Sequence, residues 1–181
     1  EKPVSLAKLL RTVEKALALR RGKEARRGAA VRNAAPAGKS TAMRAIREQI
    51  ARVAQHDAHT LFTGEPGSGR EAFARYLASQ SAQARGPFVS VIGGDLTDDH
   101  APRELLGDGT EAGAFERAEG GILYIQELGD ISATAQRVLL SALEQGSYRP
   151  TGQHADKPLR VRVLSSAYPG FEHTDSVRSE L

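Results

Sequence analysis

Two short stretches hold the residues best suited to chemistry. The first is His59–Ala78, HTLFTGEPGSGREAFARYLA. Within it Gly64, Glu65, Pro66, Gly67, Ser68, Gly69, Arg70 and Glu71 form a Gly-rich run. It lies between a β-branched, apolar segment (Thr60–Thr63) and a helical one (Arg70–Ser79) with Phe73, Tyr76 and Leu77 on one face. Glycines at 64, 67 and 69 free the backbone to turn tightly and aim its N–H groups inward. Unpaired N–H groups and the dipole of the following helix both favour an anion, phosphate above all. The second stretch is Ile122–Glu127, an apolar strand that ends in the polar pair Gln126-Glu127. Glu127 has the chemistry of a general base toward water. Gln126 carries no charge and is a poor magnesium ligand beside a carboxylate.

The spacing Gly64-x-x-x-x-Gly69 is that of a P-loop, but the next residue is Arg70 where that motif has Lys, and Glu71 where it often has Ser or Thr. With 18 glycines in 181 residues such spacing arises easily, so the strand–loop–helix context carries the reading. Gly38-Lys39-Ser40-Thr41 imitates the end of the same motif. It fails because position 33 is Asn and no strand precedes it; Ser40 or Thr41 reads better as the N-cap of a helix over 42–54.

Other elements must position these residues. Strands are expected at Pro87–Ile92 (PFVSVI) and Leu159–Ser165 (LRVRVLS), with a helix from a Ser132 cap to Gln145 and a turn-rich hairpin over 146–157. Short helices are expected near Pro102–Leu106 and Ala114–Glu119. Alternating helices and continuously apolar strands argue an α/β fold with a parallel sheet covered on both faces. Upstream, Lys2-Pro3 leads into an amphipathic helix over 5–20 with Leu6, Leu9, Leu10, Val13 and Leu17 on one stripe. Residues 22–37 (GKEARRGAAVRNAAPA) have the composition of a linker.

Composition narrows the classes. Hydrophobic residues at 40% and charged residues at 26% are those of a globular protein. Aromatics at 5%, with no Trp, argue against a base-stacking platform. The absence of Cys excludes disulfides, thiolate metal sites and Cys nucleophiles. No apolar run reaches membrane-spanning length and no signal peptide is visible, so no membrane partner and a cytoplasmic location are expected. The chain starts at Glu1 without Met and reads as a fragment. Residues 1–32 hold ten Lys/Arg against three Asp/Glu, and 33–181 hold fifteen against nineteen, so the net +3 is unevenly placed. A solvated helix face explains the basic part, and a nucleic-acid or acidic-partner contact is the sharper reading.

In order, GEPGSGREAFAR, FVSVIGGDL, ELLG, AEGGILYIQELGDISATAQRVLLSALEQGSYRPTG, LRVRVLSSAY and VRSEL resemble the motifs of the AAA+ domain of sigma-54-dependent activators, the NtrC-type response regulators. The resemblance runs from about Gly38 to Leu181. It implies a P-loop AAA+ three-layer α/β core over 38–181, truncated before its helical lid. Lys2-Pro3 and the helix after it resemble the end of a receiver domain, whose C-terminal helix would occupy residues 1–21.

The departures from the family are specific. Its Walker A Lys is Arg70, and its Walker B Asp is Gln126, while its Glu is kept as Glu127. Its gating Asn matches Ile92, and the Thr-Asn of sensor I matches Ala167-Tyr168. The sigma-54-contacting loop should follow Leu106-Gly107, but Asp108–Ala112 runs straight into Gly113-Ala114-Phe115, which aligns with the segment before Walker B. Its absence resembles the NtrX-like branch. Arg178 matches the first of two arginines that the family sets against a neighbour's nucleotide.

Lys is a compact charge and Arg a longer planar fork, so Arg70 cannot occupy the same point between phosphates. Losing one preorganised contact in such a site costs ~10²–10³ in rate. Arg70 has the chemistry to pair with Glu127 or Glu71 and so to fill nucleotide space. The resemblance therefore implies a transcription regulator with a degenerate ATPase domain that holds ATP or ADP weakly, with Mg²⁺ in doubt and no protein metal site. Its implied partners are a second copy of itself, DNA through a domain outside this chain, and a sensor kinase through the missing receiver part; sigma-54 is not expected among them. A slow ATPase using Glu127, or a dimerisation scaffold without nucleotide, are the rival readings.

Overall fold

Apolar strands separated by amphipathic helices settle the architecture. The computed structural model describes residues 35–171, 177, 178 and 181. In order come α1 (Thr41–Val53), β1 (Thr60–Thr63), α2 (Arg70–Gln80), β2 (Phe88–Ile92), α3 (Ala101–Leu106), α4 (Ala114–Arg117), β3 (Ile122–Gln126), α5 (Ala133–Gln145), β4 (Ser147–Tyr148), β5 (Lys157–Pro158) and β6 (Arg162–Ala167). Four strands form one parallel sheet in the order β1-β6-β3-β2, and β4 and β5 pair as a small antiparallel hairpin. Parallel neighbours cannot be joined by a tight turn, so helices cross the sheet faces. The expected amphipathic helix over 5–20 and nearly all of the 22–37 linker lie outside the described residues.

Side chains alternate along each strand, so one strand feeds two cores. On β3, Leu123 and Ile125 join Leu105, Phe115 and Leu139 from the α3, α4 and α5 side. Ile122 and Tyr124 join Ile50 and Leu77 from the α1 and α2 side. The result is three layers, helix–sheet–helix. Each fully buried Leu or Ile contributes about 1.5–3 kcal/mol of burial free energy, which is why β3 reads as a nearly unbroken apolar run.

Local signals fix the ends. Ser40 caps α1, its Oγ accepting from the Met43 N–H at 3.2 Å, and Ser132 caps α5 by accepting from Ala135 at 3.2 Å. Arg47 reaches back from α1 to donate to the Pro36 and Gly38 carbonyls at 2.7 and 2.8 Å. The parallel register sets Thr63 beside Ala167 and Ile92 beside Gln126, which gathers the carboxyl ends of all four strands along one edge.

Three strands differ from expectation, β2 only in starting at Phe88 rather than Pro87. The last parallel strand runs Arg162–Ala167 rather than Leu159–Ser165, with every residue buried. Arg162 is only 3% exposed, and its guanidinium reaches carbonyls at the end of α1 and in the segment after it. Nε donates to Ala58 at 3.0 Å and Nη2 to Val53 at 3.2 Å. The third, β3, stops at Gln126, and Glu127 turns out of it into left-handed backbone, φ 54°.

Between α3 and α4 the chain makes a tight turn closed by a bridge between Gly107 and Ala112. Asp108 organises it. Its carboxylate accepts from the Thr110 hydroxyl at 2.7 Å and from the N–H groups of Thr110 and Glu111 at 2.9 and 2.8 Å. Arg103 adds an ion pair at 2.9 Å. These bonds, the Thr110 hydroxyl first, hold its carboxyl well below the usual carboxylate range. Phe115 beyond the turn is fully buried against Tyr148, ring centroids 5.1 Å apart.

Candidate functional site

The loop after β1 is anchored where it leaves the sheet: the Gly64 N–H donates to the Ala167 carbonyl at 3.2 Å. It then folds on itself, the Ser68 N–H donating to the Glu65 carbonyl at 3.1 Å. A side chain at 64 would bring its Cβ within 2.7 Å of Ser68 Oγ, so that hydroxyl would have to turn aside. Gly69, at φ 85°, is the N-cap of α2 and offers no side chain to satisfy the first N–H groups of that helix. They are left to whatever anion enters the loop. Glu65, Pro66, Gly67 and Ser68 are exposed along it.

Arg70 opens α2 and points across the loop. Its guanidinium meets the Glu127 carboxylate as a two-pronged pair, Nη1 to Oε2 at 2.9 Å and Nη2 to Oε1 at 2.5 Å. The side chains are 11% and 20% exposed, so water screens the pair little. The Tyr168 ring at the end of β6 lies 5.0 Å from the guanidinium carbon and caps its other side. Glu71, the alternative partner, turns away and pairs with Arg75 one helical turn on, at 2.7 Å. Arg75 in turn stacks on Phe88 at 4.2 Å.

Glu127 is delivered by its backbone. It is the sole non-glycine residue with positive φ among those described, a conformation that costs of order 1–3 kcal/mol. Its N–H donates to Ser166 Oγ at 3.3 Å. Its carbonyl passes so close to position 93 that a Cβ there would lie 2.2 Å away, so Gly93 is required for the approach. Gln126 uses its amide to donate to Ser90 Oγ at 2.8 Å. Ile92, beside it, is 51% exposed, and Tyr168 is 47% exposed.

The structure thus brings the loop, Arg70, Gln126 and Glu127 to one edge of the sheet. Arg178 is not gathered with them. Its N–H bonds to Gln136 on α5 at 3.0 Å, and it lines a cavity of about 660 Å³ with His59, Leu61 and Leu143. A second cavity, about 430 Å³, opens beside Gly64, Ser68 and Arg70 and is walled by Met43, Ile50 and Phe62. No group of three His, Cys, Asp or Glu able to hold a metal occurs among the described residues. Both Glu127 oxygens are engaged, so a water that needs one as a base must compete with Arg70. Sequence reasoning missed Ser90, Ser166, Gly93 and the stacking of Tyr168. Tyr168 was visible as a departure from a polar pair, whereas the other three carry no signal beyond their position near strand ends.

A Gly-rich loop between the first strand and a helix, at the carboxyl edge of a parallel sheet and facing the end of β3 two places along, defines the P-loop NTPase class of α/β domain. Residues 36–175 match the Sigma-54 interaction domain family, and the chain belongs to that family. It is 33% identical over 175 residues to the DNA-binding transcriptional regulator NtrC of Rhizobium meliloti, an alignment covering 91% of this chain and 36% of that protein. The structure of NtrX from Brucella abortus in complex with ADP superposes with TM-score 0.76 and 31% identity, over 99% of this chain and 43% of that one. The same protein with ATP gives 0.75 and 31%, with the same coverage. The P-loop NTPase domain of a sigma-54 activator from E. coli, at 21% identity and TM-score 0.53, shares the fold. The chain spans less than half the length of the NtrC and NtrX chains it matches.

Proposed function

We propose that this chain is the degenerate nucleotide-binding AAA+ core of a two-component transcription regulator, holding ATP or ADP without efficient hydrolysis. The observation that carries the reading is the Arg70–Glu127 pair. The glycines that shape a phosphate loop are kept, while the two charges that would act on a γ-phosphate and on water are bound to each other. NtrX, similar over nearly the whole chain, was solved with both ADP and ATP. The 430 Å³ apolar cavity beside the loop is of a size and character to receive a base. Cofactor-binding residues in this reading are Gly64–Glu71 and Gln126. Glu127 would be a base largely withdrawn from use, and Arg178 would act only toward a neighbouring copy.

The turn at Gly107–Ala112 and the burial of Phe115 support the absence of a sigma-54-contacting tip. In the whole protein a receiver-like segment before residue 22, a linker over 22–37, self-association, a DNA-binding domain elsewhere, a sensor kinase and a cytoplasmic setting complete the proposal. No helix among the described residues is long and apolar enough to cross a membrane. Titration with ATP and ADP, alongside steady-state phosphate release, tests the core of it. Weak binding with negligible release is expected. Turnover near the ~1 s⁻¹ of ordinary enzymes would overturn it, and nucleotide-dependent capture of sigma-54 would overturn the reading of the turn.

A further inference from the structure

We propose that the phosphate loop takes its nucleotide without a divalent metal, Arg70 supplying the counter-charge, and that Glu127 is the anion the phosphates displace. This rests on the nucleotide reading above. P-loop domains ordinarily pair the nucleotide with Mg²⁺, and the donors here do not fit that ion. Mg²⁺ requires near-octahedral oxygen ligands, commonly one or two carboxylates beside the phosphate oxygens. Both oxygens of Glu127 accept from Arg70 at 2.9 and 2.5 Å. Glu71 is turned to Arg75. Gln126 offers an uncharged amide already tied to Ser90. A metal entering at Glu127 would have to break the Arg70 pair and then lie next to the guanidinium it had displaced, cation against cation.

A polyphosphate meets no such obstacle. Its oxygens present the same fork-matching acceptors as a carboxylate and carry more charge, so it competes with Glu127 for one donor set. The exchange is anion for anion at Arg70. Tyr168 can support the guanidinium from its face while the partner at its edge changes. The released Glu127 then stands near the phosphates with its own negative charge, which opposes binding. Glu127 is in this sense an internal competitor, and the occupancy of the loop is set by how strongly it holds Arg70.

The test is calorimetric titration of the intact chain with ADP, whose binding is not complicated by γ-phosphate cleavage, in EDTA and in excess Mg²⁺. Affinity in EDTA is expected to equal or exceed that in Mg²⁺, since Mg²⁺ competes with Arg70 for the same oxygens. Glu127→Gln, which removes the competing charge, is expected to tighten ADP about tenfold in both buffers, the scale of one charge-assisted hydrogen bond freed in the unliganded state. Tightening by Mg²⁺ in the wild type overturns the metal-free inference and leaves the nucleotide reading standing. Unchanged affinity in a folded Glu127→Gln overturns the displacement. No binding of ADP by either protein in either buffer overturns the nucleotide reading itself. The wild-type comparison of the two buffers decides the metal question even if the variant does not fold.

Discussion

Arg70→Ala removes one partner of a two-pronged pair and leaves the other in place. Breaking a fully buried pair costs about 3–5 kcal/mol, and an exposed one contributes about 0–1. Here the side chains are 11% and 20% exposed, nearer the buried limit, but the pair sits at the sheet edge, where a freed Glu127 can recover some water. Loss of the Tyr168 contact adds roughly 0.5–1 kcal/mol. Together these predict a destabilisation of about 2 kcal/mol, which in a unit of this size lowers the melting temperature by roughly 4–8 °C. Urea unfolding is the assay, with the slope unchanged and the midpoint lowered. A double-mutant cycle with Glu127→Gln should give a coupling of about 1–2 kcal/mol. A coupling below about 0.5 kcal/mol, the ordinary limit of additivity, would show that water screens the pair and that it cannot act as a lock on the loop.

Other outcomes follow from neighbouring features. Arg70→Lys with Gln126→Asp should strengthen ATP binding in Mg²⁺ more than it raises phosphate release, because Ile92 and Tyr168 still replace polar groups; equal gains in both would place the defect wholly at 70 and 126. Gly93→Ala drives a Cβ to 2.2 Å from the Glu127 carbonyl, so a loss of at least about 1–3 kcal/mol is expected, read by urea unfolding. An unchanged midpoint would mean that the Glu127 backbone moves freely. His59 has its pKa lowered by burial of the ring and by the charge of Arg162, and its Nδ1 accepts from the Val163 N–H at 3.1 Å. The unfolded chain then takes up the proton first as pH falls through about 6.5, so stability present above that pH declines below it until the folded-state pKa is passed. The residue is exposed at its surface, so solvent holds the loss below about 1 kcal/mol. His59→Gln should remove that part of the decline, and an identical pH profile would refute the assignment.

The layers of the fold were legible because β3 is apolar on both faces, and α1, α2 and α5 on one. Ser40 and Ser132 announced helix starts through their side-chain chemistry. Arg162 was not legible as a core residue: LRVRVLS reads as an apolar strand, but nothing in it says how a charged side chain within it would be paired. Only the carbonyls of Val53 and Ala58, more than a hundred positions away, make its burial tolerable. The same distance problem applies at the site. Sequence offered both Glu127 and Glu71 as partners of Arg70, and the choice is made by Arg75, which claims Glu71 from the same helix. The left-handed turn of Glu127 had no signal of its own. Its one trace is Gly93, a glycine whose purpose appears only when β2 and β3 lie side by side.

The Asp108 turn has a consequence for how chains of this shape vary in length. Gly107 and Ala112 already meet across the turn, so a longer segment inserted between Asp108 and Glu111 would leave and return at adjacent points. Closing a loop costs entropy that rises only with the logarithm of its length. Lengthening this one three- to fourfold would therefore cost on the order of 1 kcal/mol. Phe115 and the strand beyond it would not have to shift. A protruding excursion can thus be gained or lost at this site by a single in-frame insertion or deletion, with the sheet and the phosphate loop left intact.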